Sequence, residues 1–141
     1  MSRPDNPLKL RAQAAGLTMV ERQVIPSTRR AHEAVEFARE RGAVDAFHAS
    51  LLRRYWAEGA DLWALSTLRA AAEEAGLPPD ELEEAIVEGR YRPVVDASLA
   101  EAAALGISAV PTFLVGARYL IQGAQDQRVF RQAMERLGVG P

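Results

Sequence analysis

The stretch GISAVPTFLVGARYLIQGAQDQRVFRQAM, residues 106–134, decides the fold class of this chain. Within it, the short apolar runs Thr112–Val115 and Tyr119–Gln122 are separated by Gly116-Ala117-Arg118. Two apolar runs joined by a short turn that contains glycine are typical of a β-hairpin. After the hairpin, apolar residues recur at helical spacing from Asp126 onward, which predicts a closing helix.

Helical periodicity dominates the sequence upstream of this stretch. The composition predicts a first helix over residues 8–15, and residues 18–25, rich in β-branched side chains and ended by Pro26, suit a strand. Residues 27–105 then form a succession of predicted helices, one of which begins at Asp61. The glycines predicted to end them are Gly42, Gly59, Gly76, Gly89 and Gly106. The order helix, strand, helical block, hairpin, helix predicts an α/β fold that is predominantly helical.

Composition excludes several classes of function. The chain has 141 residues and a net charge of -2, with no long run of one sign, so neither nucleic acid nor an anionic membrane is predicted as a partner. No apolar run reaches the length of a transmembrane helix and the first ten residues lack a secretory core, so a cytoplasmic location is expected. Cysteine is absent, which excludes a disulfide framework, a thiolate metal site and a cysteine nucleophile within these residues.

The segment from residue 106 onward resembles the C-terminal segment of the DsbA-like thioredoxin family, and in particular its FrnE-like branch of dithiol-disulfide oxidoreductases. The matching positions there are Gly106, Val110-Pro111-Thr112-Phe113, Gly123-Ala124-Gln125 and Phe130. The positions that resemble the family's helical insertion are Pro26-Ser27-Thr28, Ala31-His32, Phe47 to Trp56, Glu58-Gly59, Asp61-Leu62 and Ala75-Gly76-Leu77.

This resemblance extends over residues 16–138. It implies an incomplete thioredoxin-like fold made of a strand, a large helical insertion, a β-hairpin and a C-terminal helix. Residues 1–141 would form one domain, with the insertion over residues 27–105 and the C-terminal thioredoxin half over residues 106–138.

The family's reactive unit has no counterpart in these residues. The resemblance implies an N-terminal β-α-β unit with Cys-x-x-Cys at a helix N-terminus, where the helix dipole lowers the thiol pKa. Relatives that resemble 2-hydroxychromene-2-carboxylate isomerase place a serine there. The missing strand would be central in the sheet, so an upstream segment, a second chain, or direct pairing of strand 18–25 with the hairpin must fill its place. The last two arrangements favour a homo-oligomer, since unpaired strand edges pair with other chains.

Val110, Pro111 and Thr112 are the predicted substrate-binding residues. A proline is ordinarily tolerated as the first residue of a strand, because no backbone N–H is needed there for pairing with a neighbouring strand. In the family this proline is cis, and the residue before it presents backbone N–H and C=O groups to an extended peptide or to glutathione. The resemblance therefore implies a peptide or protein thiol/disulfide substrate as the partner at these residues.

Three functions follow as hypotheses. The first is a thiol-disulfide oxidoreductase of the DsbA/FrnE type that is truncated and inactive alone, because exchange requires a thiolate. The second is a glutathione-dependent isomerase or transferase of the serine-using branch. The third is a catalytically inert peptide-binding module. Only the second implies a cofactor, glutathione.

Other polar and aromatic residues are explained without a functional site. His32 and Glu36 lie one helical turn apart, but no further metal ligand is in view, so a solvated pair is expected. His48 has no neighbouring group to orient it as a base. For Trp56 and Trp63, core packing is expected rather than a substrate groove. For the pairs Arg29-Arg30 and Arg53-Arg54, solvated helix faces are expected rather than a site for an anionic ligand.

Overall fold

The structure, a computed structural model, describes residues 6–139, which form seven helices and one two-stranded sheet. The chain divides into two compact units, residues 1–97 and residues 98–141. No helix within residues 6–139 is long and apolar enough to cross a membrane. The elements are α1 Pro7–Ala14, α2 Arg29–Glu40, α3 Val44–Trp56, α4 Leu65–Glu74, α5 Pro79–Glu88, α6 Arg92–Ala104, β1 Thr112–Val115, β2 Tyr119–Gln122 and α7 Gln127–Arg136.

The core of the first unit lies between helices α2, α3, α4 and α5. Each helix turns one apolar stripe inward, as residues at spacings of three and four do on a helix. Phe37, Phe47, Leu68 and Leu82 are the largest fully buried side chains. The ring of Phe37 meets that of Tyr91 edge to face, with centroids 6.3 Å apart. Burying each such side chain stabilises the unit by about 1.5–3 kcal/mol relative to exposure.

Helix α5 shows how local signals set the ends of these helices. It begins with Pro79 in the first turn, followed by Asp80 and Glu81, where a missing N–H and negative charge are both favourable. It ends at Gly89, whose φ of 68° is left-handed. A Cβ at Gly89 would lie 2.6 Å from Nε of Arg92, the flexible end of that side chain, so it is the left-handed backbone that favours glycine at this position.

Two predictions for the first unit differ from the structure. Helix α4 begins at Leu65 rather than Asp61, because the Asp61 carboxylate accepts the Trp63 backbone N–H at 2.9 Å and forms a turn instead. The strand predicted for residues 18–25 was wrong, since these residues belong to no strand of the described chain. The Val20 N–H donates to the Trp56 carbonyl at 2.8 Å, but no strand among residues 6–139 lies beside it to supply the ladder that a strand needs.

The second unit contains the hairpin and α7. Strands β1 and β2 pair antiparallel, with Thr112 opposite Gln122 and Val115 opposite Tyr119. Both strands have the predicted bounds. Ile121 is buried, and the Asp126 carboxylate caps α7 by accepting the Arg128 N–H at 2.9 Å.

The hairpin turn packs against the end of α7. Gly116 has a φ of 58°, and a Cβ there would lie 2.6 Å from Cδ1 of Leu137. Ala117 also has a positive φ, of 53°. The glycine therefore allows the turn backbone to approach the Leu137 side chain closely.

Candidate functional site

The candidate site is the loop of residues 108–112, which leads from α6 into β1. The Val110 side chain is 89% exposed, and the Val110–Pro111 peptide bond is cis. The Pro111 carbonyl accepts the Gly123 N–H at 2.7 Å, and the Thr112 hydroxyl donates to the Ala109 carbonyl at 2.5 Å. These two hydrogen bonds hold the loop on either side of Val110.

Val110 itself is left unpaired by this loop. Within the part of the chain that the structure describes, neither its backbone N–H nor its C=O has a hydrogen-bond partner. Because Val110 is 89% exposed, these strong hydrogen-bonding groups can pair with water until another chain replaces it. The loop therefore presents a donor and an acceptor to any extended chain that lies along it.

The hairpin behind the loop is anchored by aromatic and polar contacts. The rings of Phe113 and Phe130 meet edge to face at a centroid distance of 4.9 Å, which joins β1 to α7. The Gln125 side-chain amide donates to the Gln122 carbonyl at 2.9 Å. Residues quoted above for their resemblance to a family thus lie in contact with one another and position the loop.

The carboxylate that caps α7 is held in its charged form. The Arg128 backbone N–H, and then its side chain, lower the pKa of the Asp126 carboxyl below the ordinary value. A deprotonated aspartate accepts the cap hydrogen bond and also faces the positive end of the helix dipole. The helix behind the hairpin is therefore best capped at neutral pH.

The chemistry available to the second unit is limited. Both histidines of the chain, His32 and His48, precede residue 98, and the chain has no cysteine. The unit therefore has neither a thiol nor an imidazole for nucleophilic or acid-base work. What the loop of residues 108–112 offers by its geometry is backbone hydrogen bonding together with apolar contact.

The histidines do not form a metal site. Among residues 6–139 no group of three His, Cys, Asp or Glu side chains could hold a metal ion. His32 and His48 are both exposed. The Glu36 carboxylate is bound instead by the Arg39 guanidinium at 3.1 Å, as expected for charges on a solvated helix face.

The Arg29-Arg30 pair is likewise occupied within the chain. Arg29 lies 3.5 Å from the Glu33 carboxylate and also donates to Asp96, and the Asp96 hydrogen bond raises the pKa of the Arg29 guanidinium. Arg30 stacks over the Trp63 ring, 4.1 Å from its centroid, and donates to the Trp63 carbonyl at 3.0 Å. Arg29 is therefore paired with carboxylates, whereas the contacts of Arg30 with the Trp63 ring and carbonyl leave its positive charge uncompensated within residues 6–139.

The second arginine pair belongs to a four-membered ion cluster. Arg53 and Arg54 bind the Glu74 carboxylate at 2.6 and 3.0 Å, and both also face Glu58. The buried Ser50 hydroxyl donates to Glu74 at 2.9 Å and is the largest cause of the lowered pKa of that carboxyl, followed by the arginines. Two guanidinium groups and two carboxylates balance, so this cluster carries no excess positive charge.

Core packing was predicted for both tryptophans, but Trp56 and Trp63 are 38% and 42% exposed, so that prediction was wrong. Trp63 supports Arg30, whereas Trp56 lines an apolar pocket with residues from α1, the segment that follows it and α3. Sequence periodicity placed Trp56 on a helix but carried no signal for this pocket. The walls of this pocket come from separate elements. The periodicity of one helix does not show which other elements lie beside it.

Comparison with known proteins places this geometry in context. A family model described as a DSBA-like thioredoxin domain matches residues 6–135. The crystal structure of a probable DsbA oxidoreductase from Streptomyces coelicolor superposes with a TM-score of 0.77 at 31% sequence identity, over 95% of this chain and 59% of that chain. This chain thus spans 59% of the length of that structural relative. No curated protein matches the sequence at a significant level.

Proposed function

Because this chain belongs to the DSBA-like thioredoxin domain family, we propose that it binds an extended segment of a thiol- or disulfide-containing protein through Val110, Pro111 and Thr112. Its fold is thioredoxin-like and predominantly helical. The observation that carries the proposal is the exposed Val110, whose backbone N–H and C=O have no partner within residues 6–139. An extended peptide recognises such groups by adding strand-like hydrogen bonds.

In this proposal the chain binds substrate and does not exchange disulfides by itself. Exchange proceeds by attack of a thiolate on a disulfide sulfur, and these 141 residues contain no cysteine. Any exchange in which the chain takes part must use a thiolate from outside this sequence. The segments Glu58-Gly59-x-Asp61 and Gly123-Ala124-Gln125 support a place within the FrnE-like branch of dithiol-disulfide oxidoreductases.

The test compares two substitutions at Val110. Val110→Pro removes the unpaired N–H, whereas Val110→Ala keeps it and shortens only an exposed side chain. Binding of a fluorescein-labelled unfolded polypeptide with blocked thiols is measured by fluorescence anisotropy. Leaving one peptide carbonyl without its donor costs about 1–3 kcal/mol, so we expect Val110→Pro to weaken binding about tenfold and Val110→Ala to change it little.

Several outcomes would contradict this function. Equal weakening by both variants would show that the side chain, and not the backbone, makes the contact. Absence of binding by the wild-type chain would remove the function altogether. Circular dichroism of both variants verifies that they fold. Glutathione serves as a competitor, and displacement of the polypeptide at low glutathione concentration would favour the glutathione-dependent isomerase or transferase instead.

We also propose a homo-oligomer built through the hairpin. Strand β1 pairs with β2 on one side only, and no third strand is present in the described residues. A two-stranded hairpin is marginally stable in water, and its open edge can pair with another chain. Light scattering should show a concentration-dependent rise in mass, and a strictly monomeric species at high concentration would rule this assembly out.

A further inference from the structure

An apolar pocket in the unit of residues 1–97 is unused by the function proposed above. It lies between α1, residues 16–19 and the C-terminal part of α3, and has a volume of about 670 Å³. We propose that this pocket binds a neutral, apolar small molecule that carries one uncharged hydrogen-bonding group. The inference stands apart from the peptide-binding proposal, because the two sites lie in different units of the chain.

The pocket wall consists mainly of large apolar side chains that the core does not cover. Leu8, Leu17, Leu52 and Trp56 line it and are 51%, 64%, 46% and 38% exposed. Helix α1, which supplies part of the wall, has no buried residue. Soluble proteins bury most such contiguous apolar surface, and a concave apolar patch of this kind is typical of a ligand site.

The volume of the pocket selects the class of occupant. Pockets for small molecules measure about 300–1,000 Å³, and this one lies within that range at about 670 Å³. The volume of this space therefore matches that of a site for a small molecule.

The charges at the rim favour a neutral ligand. Among the described residues that line the pocket, Arg53 is the one ionisable residue. Its guanidinium is already bound by Glu58 and Glu74, in the balanced cluster described above. A ligand carboxylate would have to displace one of these carboxylates to reach Arg53, whereas a neutral molecule leaves the cluster intact.

The polar group of the ligand has partners in the segment that follows α1. The backbone N–H and C=O groups of Thr18 and Met19 make no hydrogen bond within the described part of the chain. Both residues line the pocket. A hydroxyl or carbonyl group on an otherwise apolar ligand can pair with these groups, which directs its apolar body towards Leu52 and Trp56.

The pocket is tested with N-phenyl-1-naphthylamine, a neutral probe that fluoresces in apolar surroundings, on the full chain. Two competitors of equal chain length, 1-decanol and decanoate, differ in charge. Ala12→Phe fills the pocket from α1, and Ala14→Phe makes the same change on that helix outside the lining. We expect decanol to displace the probe at a concentration at least tenfold below that of decanoate. We expect Ala12→Phe to weaken probe binding at least tenfold and Ala14→Phe less than twofold.

The outcomes separate cleanly. Absence of probe binding, equal competition by decanoate, or equal effects of the two phenylalanine substitutions would each overturn the proposal. If Ala12→Phe fails to fold, the decision passes to Trp63→Phe, which leaves Trp56 as the single tryptophan. A saturable change in Trp56 fluorescence on adding decanol supports the site, and an unchanged signal refutes it.

Discussion

Replacing Leu68 with alanine tests whether α4 packs into a single tight core with α3 and α5. The Leu68 side chain is 1% exposed. Alanine removes three carbon atoms, a loss of about 2.4 kcal/mol at about 0.8 kcal/mol each. If the site does not collapse, a cavity of roughly 80 Å³ adds about 1.9 kcal/mol at 24 cal/mol per Å³. The two contributions together set an upper limit of about 4.3 kcal/mol. Partial collapse of the cavity lowers this limit, so we expect the free energy of unfolding to fall by about 3–4 kcal/mol.

Tryptophan fluorescence in a urea titration measures this loss. Trp56 and Trp63 are the two tryptophans of the chain, and both lie with Leu68 in the unit of residues 1–97. In a thermal melt the same loss corresponds to about 10 °C. Leu52→Ala makes the same substitution in α3 at a side chain that is 46% exposed, and should cost less than half as much. A loss at Leu68 below about 1.5 kcal/mol, or equal to that at Leu52, would refute a tightly packed core.

Two further substitutions test the second unit. Asp126→Ala should lower the melting temperature of α7, which is measured from the NMR resonances of that helix. The decrease should be largest above about pH 3.9, the pKa of an unfolded aspartate. Because the folded pKa of Asp126 is lowered, its stabilisation is present above that pH and disappears as the pH falls through the folded pKa; an effect that grew on acidification would contradict the cap. A non-glycine residue in the left-handed conformation costs about 1–2 kcal/mol. Gly116→Ala should destabilise the hairpin by more than this, by about 2–3 kcal/mol, because the added Cβ would also lie 2.6 Å from Cδ1 of Leu137. Gly106→Ala, with a φ of 73° and no atom within 4 Å of the added carbon, isolates the backbone contribution, and equal losses at the two glycines would disprove the contact with Leu137.

Much of this fold could be predicted because its signals are local. The hairpin runs and the turn at Gly116 each depend on a few consecutive residues, and the structure has them where they were expected. The closing helix was predicted to run from Asp126, and in the structure Asp126 caps α7, which begins at Gln127. The family assignment was also predictable, since it rests on the order and spacing of short motifs. Helix stops at glycine are equally local, as Gly89 shows.

The features that sequence reasoning missed depend on distant partners. Val24 and Ile25 favour a strand by propensity, but both remain highly exposed and no described strand lies beside them. Strand formation requires that partner, and β-propensity mainly reflects packing against neighbours. The apolar pocket was missed for the same reason, because Leu8 and Leu52 belong to helices far apart in the sequence. The binding role of Val110 stays a prediction, since no comparison tests it.

Helix α1 has a consequence for how this protein opens. It is capped by the Asn6 side chain, which accepts the Leu8 N–H at 3.0 Å, but none of its residues is buried. Segments with few buried apolar contacts open at a small fraction of the global unfolding free energy. Lys9 and Arg11 lie within this helix, so trypsin would gain access there while the core of α2 to α5 stays folded. A molecule bound in the pocket against α1 would hold this helix in place. Binding at the pocket would therefore slow cleavage by trypsin at Lys9 and Arg11.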